Sequence, residues 1–172
     1  MQEYMKELKW NNSEYKVEKM IEEILNNSNF DYRDLILPNE GKEYWENCAK
    51  ILVRLDNEKL TELLSELLVW FQDLNWPGGI IILNRLQELP TQTIEKSVLE
   101  TIEKAILTKD YLWIEFLLYL NNIKTKKIIN KILEYIEILD KELVAEIILW
   151  FEKLPEELKN NRVLELINAN KV

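Results

Sequence analysis

The chain has 172 residues, 47% hydrophobic and 31% charged, and its 22 Lys and Arg against 31 Asp and Glu leave a formal net charge of −9. That length and balance suit one folded domain or one short repeat array and exclude a disordered tail. Three glycines and four prolines are too few for the turns of an all-β fold, and the single cysteine excludes an intrachain disulfide; with no histidine, the commonest metal ligand and general base is also missing.

The first residues, Met1 to Lys6, contain Glu3 and Lys6 and no apolar run, so no secretory signal peptide is expected there. Over residues 13–26, Val17, Met20, Ile21, Ile24 and Leu25 recur at steps of three and four, the spacing of an amphipathic helix. A polar break, Asn26-Asn27-Ser28-Asn29, ends it. Asp34-Leu35-Ile36-Leu37-Pro38 reads as an extended connection, because the residue before a proline avoids the helical region. A second helix is predicted over residues 42–55, with Trp45, Cys48, Leu52 and Leu55 as its apolar seam. Cys48 within that seam reads as a small buried hydrophobe, with no histidine to activate it.

From residue 57 the spacing predicts six helices in succession: 57–74, 76–89 stopping at Pro90, 92–108, 110–120, 123–139, and 140–155 stopping at Pro155. Residues 156–168 follow as a terminal cap carrying Leu158, Leu164 and Ile167. Alternate helices differ in character. Those at 57–74, 92–108 and 123–139 have a charged face, whereas Ile80-Ile81-Ile82-Leu83, Leu112-Trp113-Ile114 with Phe116-Leu117-Leu118, and Ile147-Ile148-Leu149-Trp150-Phe151 are apolar nearly all round. A helix without a polar face must be covered on most sides, so neighbouring pairs are expected to stack. The expectation is an all-α chain, a short HEAT-like stack of antiparallel helical hairpins. It is read as a single helical-repeat domain over 1–172, with N-terminal helices and linker over 1–56, stacked pairs over 57–155 and a cap over 156–172.

The stretch from Glu66 to Leu74 resembles that from Glu146 to Leu154, both containing Trp-Phe. The two lie apart by two units of about forty residues each, the HEAT-type period. Against a true repeat, one copy falls on an amphipathic helix and the other on an apolar one.

The most distinctive run is Trp70-Phe71-Gln72-Asp73-Leu74-Asn75-Trp76-Pro77-Gly78-Gly79. It reads as a helix–helix corner, with Asn75 as N-cap, Pro77 in the first helical turn, and glycines that let another helix approach. Trp70, Gln72, Asp73, Asn75, Trp76 and Pro77 form the motif, as filler and caps of a rigid joint or as a peptide pocket. This run resembles the signature of a bacterial family, domain of unknown function 5071, in which Trp-x-Gln-Asp-x-Asn-Trp-Pro joins two helices. Asp34 to Pro38, and Asp110 followed by Trp113, are weaker likenesses to the same family, and Gly79 stands where the family pattern suggests Ala. The resemblance implies a helical, HEAT-like fold and assigns no activity.

Searching for chemistry leaves carboxylates. No cysteine pair offers a zinc site, no glycine-rich loop precedes a Lys-Ser/Thr, and neither a cofactor nor a metal is expected. Glu14, Glu18 and Glu22 stand at steps of four, as do Glu58, Glu62 and Glu66. Each column reads as a solvated face or as a surface for a cationic partner. The acidic balance opposes nucleic-acid and anionic-membrane binding, and Lys124, Lys126, Lys127 and Lys131 read as a solvated helix start. The apolar stretches are too short to cross a bilayer, so a cytoplasmic protein is expected. The leading expectation is a non-catalytic protein-interaction module contacting a basic partner through Glu58, Glu62 and Glu66, with Asp73 and Trp76 second, for instance an immunity protein masking a basic toxin domain. The alternative is a small-molecule binder or a carboxylate-dependent enzyme with a pocket near the Trp-Pro corner.

Overall fold

A computed structural model describes residues 3–170, in which every regular element is helical and none is a strand. Residues 1–2 and 171–172, the ends of the expected N-terminal segment and C-terminal cap, lie outside the described residues. No helix among the described residues is long and apolar enough to cross a membrane. The chain divides into two compact units, Met1–Leu89 and Pro90–Val172.

The first unit runs from a 3-10 helix, Glu3–Leu8, to α1 (Glu14–Leu25), a 3-10 turn at Tyr32–Leu35, α2 (Lys42–Leu52), α3 (Asn57–Glu62), α4 (Leu64–Leu67), a 3-10 stretch at Leu68–Gln72, and α5 (Gly79–Gln87). α2 is its centre. It packs against α1 and the N-terminal 3-10 helix on one side and against α5 on another. The expected seam is buried at Cys48, Leu52 and Leu55, while Trp45 stays half-buried. Buried Asn47 donates to the Leu8 carbonyl at 3.0 Å, and the Trp10 N–H reaches the Glu43 carbonyl at 2.9 Å. Those bonds tie the first residues onto α2, which periodicity alone does not reveal.

Two expectations need correction here. The single helix over 57–74 is broken at Leu63 (φ −106°, ψ 1°) and tightens into 3-10 geometry from Leu68. At the break the Arg33 guanidinium donates to the Glu62 carbonyl at 3.4 Å, a side-chain bond of the kind that accompanies an interrupted helical ladder. The extended connection at 34–38 is instead a 3-10 turn through Leu35, an extended Ile36, and Leu37 at φ 44°. A left-handed leucine costs about 1–2 kcal/mol. Buried Pro38 offsets that strain, its carbonyl accepting from Trp45 Nε1 at 2.9 Å.

Arg85 on α5 clasps the C-terminal end of α2. Its guanidinium donates to the carbonyls of Val53 (3.1 Å) and Leu55 (3.3 Å) and to Asn57 Oδ1 (2.6 Å). Carbonyls leaving a helix lack partners in their own helix, and a cation there also meets the negative end of the dipole.

In the second unit α6 (Thr91–Thr108) packs on α7 (Tyr111–Leu117) and α8 (Lys126–Tyr135), α7 packs on α9 (Lys141–Glu152), and α9 on α10 (Asn161–Ala169). Short 3-10 turns lie at Asn121–Ile123 and Glu156–Leu158. α6 ends in a Schellman motif: Lys109 is left-handed (φ 57°), its N–H meets the Ile106 carbonyl, and the Asp110 N–H meets that of Ala105. Side-chain caps set the later starts. Thr125 accepts from Ile128 N, Asp140 from Leu143 N, and Asn160 from Val163 N. The expected helix over 123–139 accordingly begins only at Lys126.

The apolar helices are less covered than their sequences suggest. Ile80 is 54% exposed, Leu112 57% and Leu149 43%. Each of these helices keeps an open strip, so the inference that they lack a wet side is corrected.

Candidate functional site

The Trp-Pro corner connects the 3-10 stretch at Leu68–Gln72 to α5. Trp70 is fully buried and donates from Nε1 to the Pro77 carbonyl at 3.1 Å, bridging the 3-10 stretch that ends at Gln72 to the entry of α5. Asp73 accepts from both the backbone N–H (2.9 Å) and the amide (3.1 Å) of Asn75, closing an Asx turn. Asn75 is therefore not the N-cap of α5. That position belongs to Gly78 at φ 89°, and Pro77 precedes the helix instead of lying in its first turn. The reason is steric. A Cβ on Gly78 would stand 2.6 Å from the Cβ of Ala49 on α2, so only glycine lets the two helices meet. On the outer side of the corner half-buried Trp76 meets Trp45 edge-on at 5.3 Å, with Lys42 Nζ 5.4 Å from each ring.

The two glutamate columns fare differently. Glu18 forms a two-bond pair with Arg54, both at 2.8 Å, and the Arg54 hydrogen bonds hold its carboxyl below the usual range. Glu66 meets Arg33 Nε at 3.2 Å, while Glu58 and Glu62 are exposed. The break at Leu63 separates Glu66 from the helix carrying Glu58 and Glu62, so the three do not form one regular helical column. Two of the four clustered lysines are likewise engaged: Lys127 pairs with Glu95 at 2.6 Å, and Lys131 with Glu103 at 2.8 Å and Glu134 at 3.1 Å. Cys48 is fully buried, and burial, with a smaller push from Glu40, raises its thiol to about 12. No three acidic or thiol groups among the described residues are grouped to hold a metal ion.

A site that sequence reasoning did not single out lies in the second unit. Tyr111 and Leu112, opening α7, share one cavity with Asp140, Glu142 and Leu143 at the start of α9. Leu118 and Tyr119, past the end of α7, share another with Leu149, Trp150 and Lys153 near the end of α9. The two helices thus run side by side in the same direction, with Glu115 lining both cavities and Glu146 beside it in the second. The second is a cleft of about 150 Å³. Burial first, then the charges of Glu146 and Asp140, push the Glu115 carboxyl above its ordinary range. Asp140 is committed to capping α9, but Glu115 and Glu146 form no ion pair among the described residues.

Around these acids Leu112, Tyr119 and Leu149 are exposed. The floor holds Trp150, 6% exposed, whose indole N–H has no hydrogen-bond partner among the described residues. This separates it from Trp70, its counterpart in the suspected repeat, which donates to Pro77 and lies in a 3-10 stretch, not an α-helix. The available signal was Glu115 and Glu146, lone charges inside otherwise apolar runs.

The profile of a family described as domain of unknown function (DUF5071) matches residues 36–146, and the chain belongs to that family. The match contains α2 to α8, the corner, Glu115, and the first part of α9 as far as Glu146. No curated protein and no solved structure matches the chain.

Proposed function

We propose that this DUF5071 member is a non-catalytic protein-interaction module, and that it takes a basic partner on the α7–α9 face of its second unit. One observation carries the reading: exposed Tyr119 and Leu149 line one cleft with Glu115 and Glu146, exposed Leu112 lines the next cavity with Glu115, and neither acid forms an ion pair among the described residues, although Lys153 lines the same cleft. Open apolar side chains beside a half-buried acid and an exposed one are what a partner surface covers. Several other acids already have intramolecular cations, as at Glu18, Glu66, Glu95 and Glu103. Charge complementarity would set partner choice and speed association. A HEAT-like stacking of the hairpins would place successive second helices in a row and make such a face continuous. Within this reading the partner is a basic toxin domain, for instance a nuclease, masked by an immunity protein in the cytoplasm. Glu58 and Glu62 supply a second acidic surface.

The test is site-specific photo-cross-linking in the native cell. A cross-linker replacing Leu112 or Leu149 should trap one basic protein that a cross-linker at exposed Tyr15 does not. Equal trapping at all three positions, or none at positions 112 and 149, would overturn the proposal.

A further inference from the structure

We infer that the cleft between α7 and α9 receives an arginine side chain of the partner, with its guanidinium between Glu115 and Glu146 and an adjacent backbone carbonyl accepting the Trp150 indole N–H. The inference rests on the reading of that face as a docking surface and names what enters it.

Three features select this occupant. Glu115 and Glu146 project from different helices into one small space, and neither has an ion-pair partner among the described residues. A planar guanidinium carries five donors in a fixed fork and can bridge two carboxylates; an ammonium is a compact point charge held to its solvation shell. Leu118, Tyr119 and Leu149 also line the cleft and suit the aliphatic stem of the same side chain, and Lys153, the remaining lining residue, forms no ion pair with either acid. The cleft of about 150 Å³ has the volume share of about five waters, the scale of one side chain and not of a folded segment.

Trp150 supplies the second and independent sign. A buried indole N–H normally finds an acceptor, and Trp45 and Trp70 both do, on the carbonyls of Pro38 and Pro77. Trp150 is the exception, and its side chain lines the cleft. An arginine entering along Leu149 brings its own peptide carbonyl to that end while its head reaches the acids. Burial and like charge at Glu115 make a cation there more welcome than at a solvated acid, because ionising this carboxyl alone is disfavoured.

The experiment is a titration of ¹⁵N-labelled protein followed at the indole N–H resonances, with Trp150→Phe assigning the one of interest. The probe is N-acetyl-arginine N-methylamide, compared with its neutral citrulline isostere and with the lysine analogue. The Trp150 indole proton should move on adding the arginine probe and saturate in the millimolar range. Binding should weaken at least about tenfold for citrulline, and as much in Glu115→Gln/Glu146→Gln, whose unchanged backbone spectrum establishes that it is folded. The lysine analogue should bind more weakly than arginine. No movement of the Trp150 resonance, or equal response to arginine and citrulline, or to arginine and lysine, overturns the inference. Cross-linking from positions 112 and 149 reports the docking face whether or not arginine binds. Failure of the pocket and failure of the face are therefore distinguishable.

Discussion

Gly78→Ala tests the corner as a joint at its tightest point. The residue sits at φ 89°, and an added Cβ would lie 2.6 Å from the Ala49 Cβ and 3.1 Å from the Trp45 carbonyl oxygen. Holding an L-residue in the left-handed region costs about 1–2 kcal/mol, and overpacking against a neighbouring helix about 1–3 kcal/mol. The sum is about 2–5 kcal/mol, a large share of the stability of a domain this size. Urea unfolding followed by circular dichroism should show the midpoint falling by roughly 1–2.5 M at a slope of about 2 kcal/mol per molar. The steric part can be isolated, because Ala49→Gly removes the atom that Cβ strikes. Alone, that change costs about 1 kcal/mol of helix propensity. In the Gly78→Ala background it should instead recover stability, giving a coupling of about 1–3 kcal/mol in the double-mutant cycle. A loss below about 0.5 kcal/mol for Gly78→Ala, or no coupling with position 49, would refute the close approach of α2 and α5.

Other parts of the structure make equally definite forecasts. Arg85→Met should lower stability by about 1–3 kcal/mol in the same assay, since it strips partners from the Val53 and Leu55 carbonyls. Cys48 should resist a disulfide-exchange reagent at pH 8 in the native protein and react fully in denaturant, because its thiol is buried and held protonated. The Glu18 carboxyl is lowered in the folded state by Arg54, so the pair adds stability above the unfolded carboxyl pKa of about 4.3. That contribution is lost as pH falls through the lower folded value. At this exposed position it amounts to less than about 1 kcal/mol, so Glu18→Gln should remove a small acid-side slope from a stability-against-pH curve.

Much of the helical architecture was readable in the sequence because its causes are local. The three- and four-residue spacing marked α1, α2 and α6, and Asp140 stands just before α9 as an N-cap should. What escaped depends on residues distant along the chain. The break at Leu63 lies beside a bond from Arg33, Pro38 next to left-handed Leu37 accepts from Trp45, and Gly78 at the start of α5 meets Ala49. The corner motif was found at the right place, but Asn75 lost the capping role to Gly78 because Asp73 turned the chain earlier. The α7–α9 cleft was hidden for a similar reason. Glu115 and Glu146 become neighbours only when two helices pack side by side, and each alone looks like a single charge on an apolar helix.

The α7–α9 face is the proposed docking place of a basic partner. The most direct measurement is the affinity of the cross-linked partner, once purified, for wild type, for Leu112→Asp/Leu149→Asp, and for Tyr15→Asp as a control on α1. All three positions are exposed, so the variants should fold. Losing two half-exposed leucines from an interface removes about 2 kcal/mol, or about thirtyfold in affinity. Docking on this face predicts that loss for the double variant and wild-type binding for Tyr15→Asp. Wild-type affinity in the double variant would contradict it.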